Sequence, residues 1–329
     1  MTMEKEEIKK KILCRLYAGT FEPDVRYELN LNDFAEKNNI DKDLIWKIYD
    51  ELDAEDLIRV WAMGGWVVPT TPGLLFCEQN LLVDEKLINK QNEIRTKLIV
   101  ALAKILEEHS HGYMVDWEEL CREAIVDKQD YFNNKAILED LYLIEKKTHR
   151  SYIITSSGLE KVNEYRKKVS RLEEFEKLDM LTDVTPQQRG HKLEDLLAEV
   201  AEDEEWEVEK RVRSQGQEHD IIMHTGLHYF LISCKWEKDP VQPKEVELLE
   251  SRVRSRATTN GGIIYSMSGF TENCIEEARL KLSSALIILY GPFDIESIFK
   301  NEKTMTGLLE EKLDQAMHHR EILIDSITK

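Results

Sequence analysis

The feature that most constrains this chain is an order of elements that occurs twice in its first half: three stretches with helical apolar spacing, followed by two short strand-like stretches joined by a turn. In the first occurrence, Ile8 to Leu16 and Leu31 to Asn38 carry the helical period. A third stretch opens at Asp41, whose carboxylate suits a helix N-cap, and places Leu44, Ile45, Ile48, Tyr49 and Leu52 on one face. Leu57 to Trp61, a turn at Gly64-Gly65 and Trp66 to Val68 then read as a hairpin. In the second occurrence the helical stretches are Ile94 to Leu106, Trp117 to Ala124 and Lys128 to Leu141, and the hairpin is Leu143 to Glu145 with Tyr152 to Ile154. Both close on a similar phrase that leads into a helix, Thr70-Thr71-Pro72-Gly73-Leu74 and Thr155-Ser156-Ser157-Gly158-Leu159.

Helix, helix, helix, hairpin is the order of a winged helix-turn-helix, so the expectation is two such units in tandem, at 1–84 and 85–165. A charged helix from Ser157 to about Leu178 supplies the helical linker at 166–183 and ends in the stretch Thr182 to Gln188, where Pro186 is expected to break the helical period and the C-terminal domain to begin. From 184 to 300 the pattern changes. Leu193, Leu196, Leu197, Val200 and Ala201 mark a helix, and Trp206 to Val212, Asp220 to Met223 and Tyr229 to Ser233 read as strands. Helix Val246 to Arg256, strand Ile263 to Met267, helix Glu272 to Leu282 and strand Ala285 to Tyr290 follow. The fold class is therefore multidomain α/β, with tandem winged-helix units ahead of a mixed sheet flanked by helices. A last amphipathic helix, Thr306 to Ile324, occupies 301–329, with Leu308, Leu309, Leu313, Met317 and Leu323 serving core packing or an oligomer contact.

At 329 residues the chain is long enough for two or three cores. No apolar run approaches a membrane span and no leader precedes the first helix, so a cytoplasmic protein is expected. The five cysteines lack zinc-ligand spacing, which points to reduced thiols. A net charge of −19 repels nucleic-acid phosphates except where cations are locally concentrated. Arg252, Arg254 and Arg256, with Arg211, Arg213 and Lys238, are the candidate cationic patch for DNA, set against the alternative of a solvated helix face. Arg252 and Arg256 are expected to share a helix face.

The chemistry-bearing constellation is Glu194 in the first helix of the C-terminal domain, Asp220 at the head of one strand, and Ser233-Cys234-Lys235 at the end of the next. A hairpin between the two strands would return Lys235 beside Asp220. Carboxylates there would hold Mg²⁺ or Mn²⁺ through hard oxygen ligands, and a lysine beside them would position or deprotonate the attacking water. These residues resemble the Mrr-like restriction endonucleases of the PD-(D/E)xK nuclease superfamily. The matching pieces are Gly190-His191-Lys192-Leu193-Glu194, Glu218-His219-Asp220-Ile221-Ile222, Leu231-Ile232-Ser233-Cys234-Lys235-Trp236, and the run from Gly261 to Thr271. The resemblance implies a metal-dependent phosphodiesterase site with Asp220, Lys235 and Glu194 as catalytic residues, and with Asp220, Glu194, Ser233 and Cys234 as the metal-side positions. Ser233 departs from the pattern, standing where the family has Glu or Gln; Glu218 and Glu237 are nearby carboxylates.

The plainer readings stand beside these. Cys234 reads as a small buried hydrophobe, and His191, His219, His318 and His319 lack metal spacing. Trp61 and Trp66 serve wing packing or base stacking. The helix from Asp41 is too acidic for a major groove, whereas Lys128, Gln129, Asn133, Asn134 and Lys135 offer a better surface, and the two units bind DNA or a partner protein. The resulting expectation is a Mg²⁺-dependent DNA endonuclease resembling type IV restriction or anti-phage defence enzymes, with self-association as a homodimer. The alternative is a non-catalytic DNA-binding or adaptor protein whose nuclease site is degenerate at Ser233.

Overall fold

The computed structural model describes residues 4–22, 24–109, 113, 115–148, 152–180, 184–210, 213–214, 217–218, 221–226, 228–256 and 260–322. Contacts divide the chain into two units, Met1–Arg166 and Lys167–Lys329. No helix among the described residues is long and apolar enough to cross a membrane.

The first unit runs α1 (Lys5–Phe21), β1 (Leu29–Asn30), α2 (Leu31–Lys37), α3 (Lys42–Ala54), β2 (Ile58–Ala62), β3 (Trp66–Pro69) and α4 (Thr71–Gln79), then α5 (Glu85–Glu108), α6 (Trp117–Ala124), α7 (Lys128–Asp140), β4 (Ile144–Lys146), β5 (Tyr152–Ile154) and the first part of α8 (Ser156–Met180), whose residues from Lys167 on belong to the second unit. Asp41 caps α3 by accepting from the N–H groups of Asp43 and Leu44. Gly64 and Gly65 both take positive φ, 89° and 86°, which lets β2 turn tightly into β3. Helix α1 outruns the apolar stretch from Ile8 to Leu16 at both ends, because Tyr17 and Phe21 continue its buried face. The two-residue β1 pairs with β3 to make a three-stranded sheet in the order β1-β3-β2, whereas β4 and β5 form a two-stranded sheet.

The duplicated phrase has one physical meaning in both places. Thr70 and Thr155 each accept from the N–H of a glycine three residues on, Gly73 and Gly158, at 3.1 Å. Each threonine hydroxyl also donates to the carbonyl of a residue with φ of 54°, Asp56 or Tyr142. A Cβ at either glycine would collide with the carbonyl oxygen of Leu57 or Leu143, so the helix can seat against the hairpin only if that position is bare.

A buried polar cluster joins the two halves of this unit. Arg95 of α5 donates to both carboxylate oxygens of Glu78 on α4 at 2.7 Å, and its Nε donates to Asn134 Oδ1 on α7 at 2.8 Å. Tyr17 of α1 donates to Glu78 at 2.7 Å, and Asn134 donates to Gln91 at 2.9 Å. Ile137 of α7 is part of the apolar core formed by α1, α3 and α4. The expectation that Asn133 and Asn134 offer a surface to DNA is therefore corrected. Asn134 is fully buried, and Asn133 donates to Thr20 O at 2.6 Å, because α7 packs inward on α1 and α4.

The second unit continues through α9 (Pro186–Asp203), β6 (Glu207–Lys210), β7 (Arg213–Ser214), β8 (Gln217–Glu218), β9 (Ile221–Thr225), β10 (His228–Lys235), α10 (Pro243–Arg254), β11 (Gly261–Ser266), α11 (Glu272–Lys281), β12 (Leu286–Tyr290), α12 (Pro292–Phe299) and α13 (Met305–Asp314), which closes in a π-helical turn at Gln315–His319. Pro186 stands between α8 and α9, and it begins α9. It occupies the first turn of α9 behind Thr185, which forms a capping box with Gln188, and proline costs nothing where the N–H has no helical partner. The five-stranded sheet has the order β12-β11-β10-β9-β6. Strands β6, β9 and β10 are antiparallel neighbours, and β10, β11 and β12 run parallel.

Alternation along β10 divides its side chains between two cores. Phe230, Ile232 and Cys234 join Leu193, Leu196 and Leu197 of α9, with residues of α12 and α13, on one face. Leu231 joins Val246, Leu249 and Val253 of α10 on the other. The single C-terminal helix expected from Thr306 to Ile324 is corrected to α13 and its short π-turn, with α12 ahead of it. Met305, Leu308 and Leu309 are core residues, while Met317 is 72% exposed, so the apolar face is spent on the core within two turns. Leu323 lies outside the described residues.

Candidate active site

Strand β10 delivers Ser233, Cys234 and Lys235 to its C-terminal end, and the period of the strand puts Ser233 and Lys235 on the α10 face and Cys234 on the α9 face. Helix α9 approaches from the second side. Its Gly190, His191 and Glu194, spaced along one face, line a cleft of about 440 Å³ together with Cys234, Lys235, Trp236, Glu237, Lys238 and Asp239. Glu194 and Lys235 thus reach one cleft from opposite faces of the same strand end. Glu194 is 5% exposed, and His191 Nδ1 lies 3.2 Å from its Oε2.

The Lys235 ammonium sits 2.7 Å from Oε2 of Glu245, in the first turn of α10. Glu245 was not singled out by the sequence; three acids, Glu245, Glu247 and Glu250, fall along α10, and only its packing decides which of them meets β10. The one available signal is position, since an acid in the first turn behind Pro243 is held at the positive end of the helix dipole. Lys235 and Glu245 also line a second cleft of about 550 Å³ with Glu237, Asp239, Gln242 and Lys244, so Lys235 stands at the mouth of both.

Asp220 and Arg211 lie outside the described residues, as does His219. Ser233 is buried, 6% exposed, and pairs with Ile264 of β11. Cys234 is also buried, in the α9 core, as expected of a small hydrophobe. The Arg213 backbone lies in β7. Lys238 is in the first cleft, whereas Arg252 and Arg254 are at the far end of α10, seven to nine residues and about 10–14 Å of helix axis from Glu245. Helix α10 ends at Arg254, so the helical face-sharing of Arg252 with Arg256 lapses. Arg254 is engaged by Glu250 at 3.3 Å. Burial pushes the Glu250 carboxyl up, but hydrogen bonds from Ser284 and Arg254 and the nearby Lys281 outweigh it and hold the group below its ordinary range.

The donor chemistry of the first cleft suits a hard divalent cation in kind: Glu194 is a buried carboxylate at its wall, and Glu237 and Asp239 bring further oxygens. Among the described residues, no three His, Cys, Asp or Glu side chains are grouped closely enough to hold a metal by themselves.

Residues 186–290 match the Mrr_cat family, described as a restriction endonuclease, so this part of the chain is a restriction-endonuclease-like domain. The curated proteins contain no match to the chain. Among solved structures, a protein of unknown function, AF1548, is similar at 18% identity with a TM-score of 0.27, over 40% of this chain and 77% of that one. The restriction endonuclease FokI is similar at 10% identity with a TM-score of 0.31, over 93% of this chain and 74% of that one. FokI bound to DNA is similar at 11% identity with a TM-score of 0.29, over 94% and 73%.

Proposed function

We propose, from the restriction-endonuclease-like character of residues 186–290, that the chain is a divalent-metal-dependent DNA endonuclease that hydrolyses phosphodiester bonds at the end of β10. The observation that carries this reading is the convergence of Glu194 and Lys235 on one cleft within the matched residues. Lys235 would hold the attacking water by a charge-assisted hydrogen bond and offset negative charge on the phosphorus-bound oxygens as the new P–O bond forms and the old one breaks. Its ammonium is paired with Glu245 at 2.7 Å. Glu194, with Asp220 from the residue immediately before β9, would supply carboxylate oxygens for Mg²⁺ or Mn²⁺. When bound, such an ion draws charge from the phosphate and favours ionisation of water. Lys238, at the rim, would contact a flanking phosphate.

In the first unit, the order and pairing of the elements support reading it as two winged-helix modules fused through Arg95, Glu78 and Asn134. On this reading the unit selects a target or a partner protein, and a role in restriction or anti-phage defence follows from the same nuclease reading. The expected result is that Mg²⁺ or Mn²⁺ supports cutting of duplex DNA by the wild-type chain, that EDTA stops it, and that Lys235→Ala loses it while keeping its thermal unfolding. Undiminished cutting by Lys235→Ala would remove the mechanism. A second reading is favoured by Ser233, a buried hydroxyl where Glu or Gln is expected: a module that binds DNA without cutting it. It predicts binding that weakens steeply with salt and does not need a divalent ion.

A further inference from the structure

Lys235 stands at the mouth of both clefts, but its ammonium is already engaged. Oε2 of Glu245 lies 2.7 Å from it. The second cleft sets Glu237, Asp239 and Glu245 against Lys235 and Lys244, so a phosphate that approaches the lysine from that side enters a net negative field. Three features hold Glu245 in place. Pro243 starts α10 at a defined residue, Val246 and Leu249 pack the helix onto β10 and β11, and the first-turn position stabilises a negative charge.

Exposure separates this pair from the permanent ones of the fold. In Arg95–Glu78 and Lys312–Asp294 no side chain is more than 8% exposed, and parting the charges would strand each in low dielectric. Lys235 and Glu245 are 23% and 33% exposed, so water can solvate both as they part, and such a pair is held weakly. The lysine also has a flexible four-carbon stem, which lets its ammonium change partners while β10 stays fixed.

We infer that Glu245 is a displaceable counter-ion for Lys235. In the resting protein it occupies the ammonium, and a backbone phosphate of the nucleic acid takes its place before the lysine acts. No covalent bond changes in this step; one charge-assisted hydrogen bond replaces another. The inference rests on the nuclease reading for its purpose and adds to it the exchange by which Lys235 becomes free to meet a phosphate.

The test is binding of a fluorescein-labelled duplex oligonucleotide to the full chain in EDTA, followed by anisotropy, with metal-dependent cutting measured in parallel. Glu245→Gln keeps the size of the side chain and releases the ammonium, and it should tighten binding by about two- to fivefold, the scale of a part-exposed ion pair. Glu247→Gln removes the same charge from an exposed position on the same helix and should have a smaller effect. In a Lys235→Met background, Glu245→Gln should bring no gain. All variants are compared at matched thermal unfolding. A gain no larger than that of Glu247→Gln, a gain that persists without Lys235, or no binding of the duplex by wild type and Glu245→Gln alike would overturn the assignment. Metal-dependent cutting by the wild type with no gain in Glu245→Gln removes the exchange and leaves the nuclease reading standing. A gain that depends on Lys235, with no cutting by the wild type, supports the exchange and counts against the nuclease reading.

Discussion

Replacing Arg95 by methionine should be among the most damaging single changes in the first unit. Its guanidinium makes four hydrogen bonds, two to Glu78 and one each to Asn92 and Asn134, and the side chains of Arg95 and Glu78 are only 6% and 8% exposed. Methionine fills much of the same volume but leaves the Glu78 carboxylate buried with Tyr17 as its remaining donor. Breaking one partner of a buried pair costs about 3–5 kcal/mol, because the other charge is stranded in low dielectric. At roughly 2–4 °C per kcal/mol for a domain of this size, the unfolding temperature should fall by about 6–20 °C. Differential scanning calorimetry of the full chain reads the shift directly. The double variant Arg95→Met with Glu78→Met removes both charges and should recover a large part of the loss, since an apolar pair need not be worse than a buried ionic one. A single variant that loses less than about 1 kcal/mol, or a double variant no better than the single, would refute the reasoning.

Gly73→Ala and Gly158→Ala should each destabilise the first unit by about 1–3 kcal/mol, seen as a lower urea midpoint, because the added methyl meets the carbonyl of Leu57 or Leu143. In the second unit, burial pushes the Asp203 carboxyl up, but Lys167 and Arg171 outweigh that and hold it below its ordinary value of 3.8. A depressed carboxylate stabilises the fold at pH above its unfolded value, and that contribution is lost as the pH falls below about 4 through the folded value. Urea midpoints measured from pH 6 downward should therefore show an acid-sensitive component that Arg171→Met diminishes. Burial pushes the thiols of Cys77 and Cys274 up, to about 12 and about 11, so at pH 8 they should resist iodoacetamide in the folded protein and react once it is unfolded, as mass spectrometry of the peptides will show.

Much of the fold could be read from the sequence wherever an element had a period long enough to declare itself. The Asp41 cap, the turn at Gly64-Gly65 and the repeated threonine-to-glycine phrases are local chemistry, and each does in the structure what its residue type dictates. The strands β1, β7 and β8 are two residues each, too short to show a period of two, and α12 is eight residues hidden between two other elements. Pro186 falls between two helices, and the capping box of Thr185 with Gln188 shows that it also starts the second. Asn134 read as a surface residue because its partners, Arg95 and Gln91, lie about forty positions earlier, beyond any local pattern. The same limit applies at the candidate site. Glu194 and Lys235 could be chosen by spacing and resemblance, but the meeting of Lys235 with Glu245 depends on how α10 is seated against β10.

The most direct measurement is nicking of supercoiled plasmid by the purified full chain in Mn²⁺ or Mg²⁺, with EDTA and Lys235→Ala run beside it and with methylated and unmethylated DNA as substrates. Metal-dependent nicking by the wild type, absent with EDTA and absent in a folded Lys235→Ala, is the expected result. Nicking that survives the loss of Lys235, or a wild-type chain that binds DNA and metal yet leaves every plasmid intact, would contradict it.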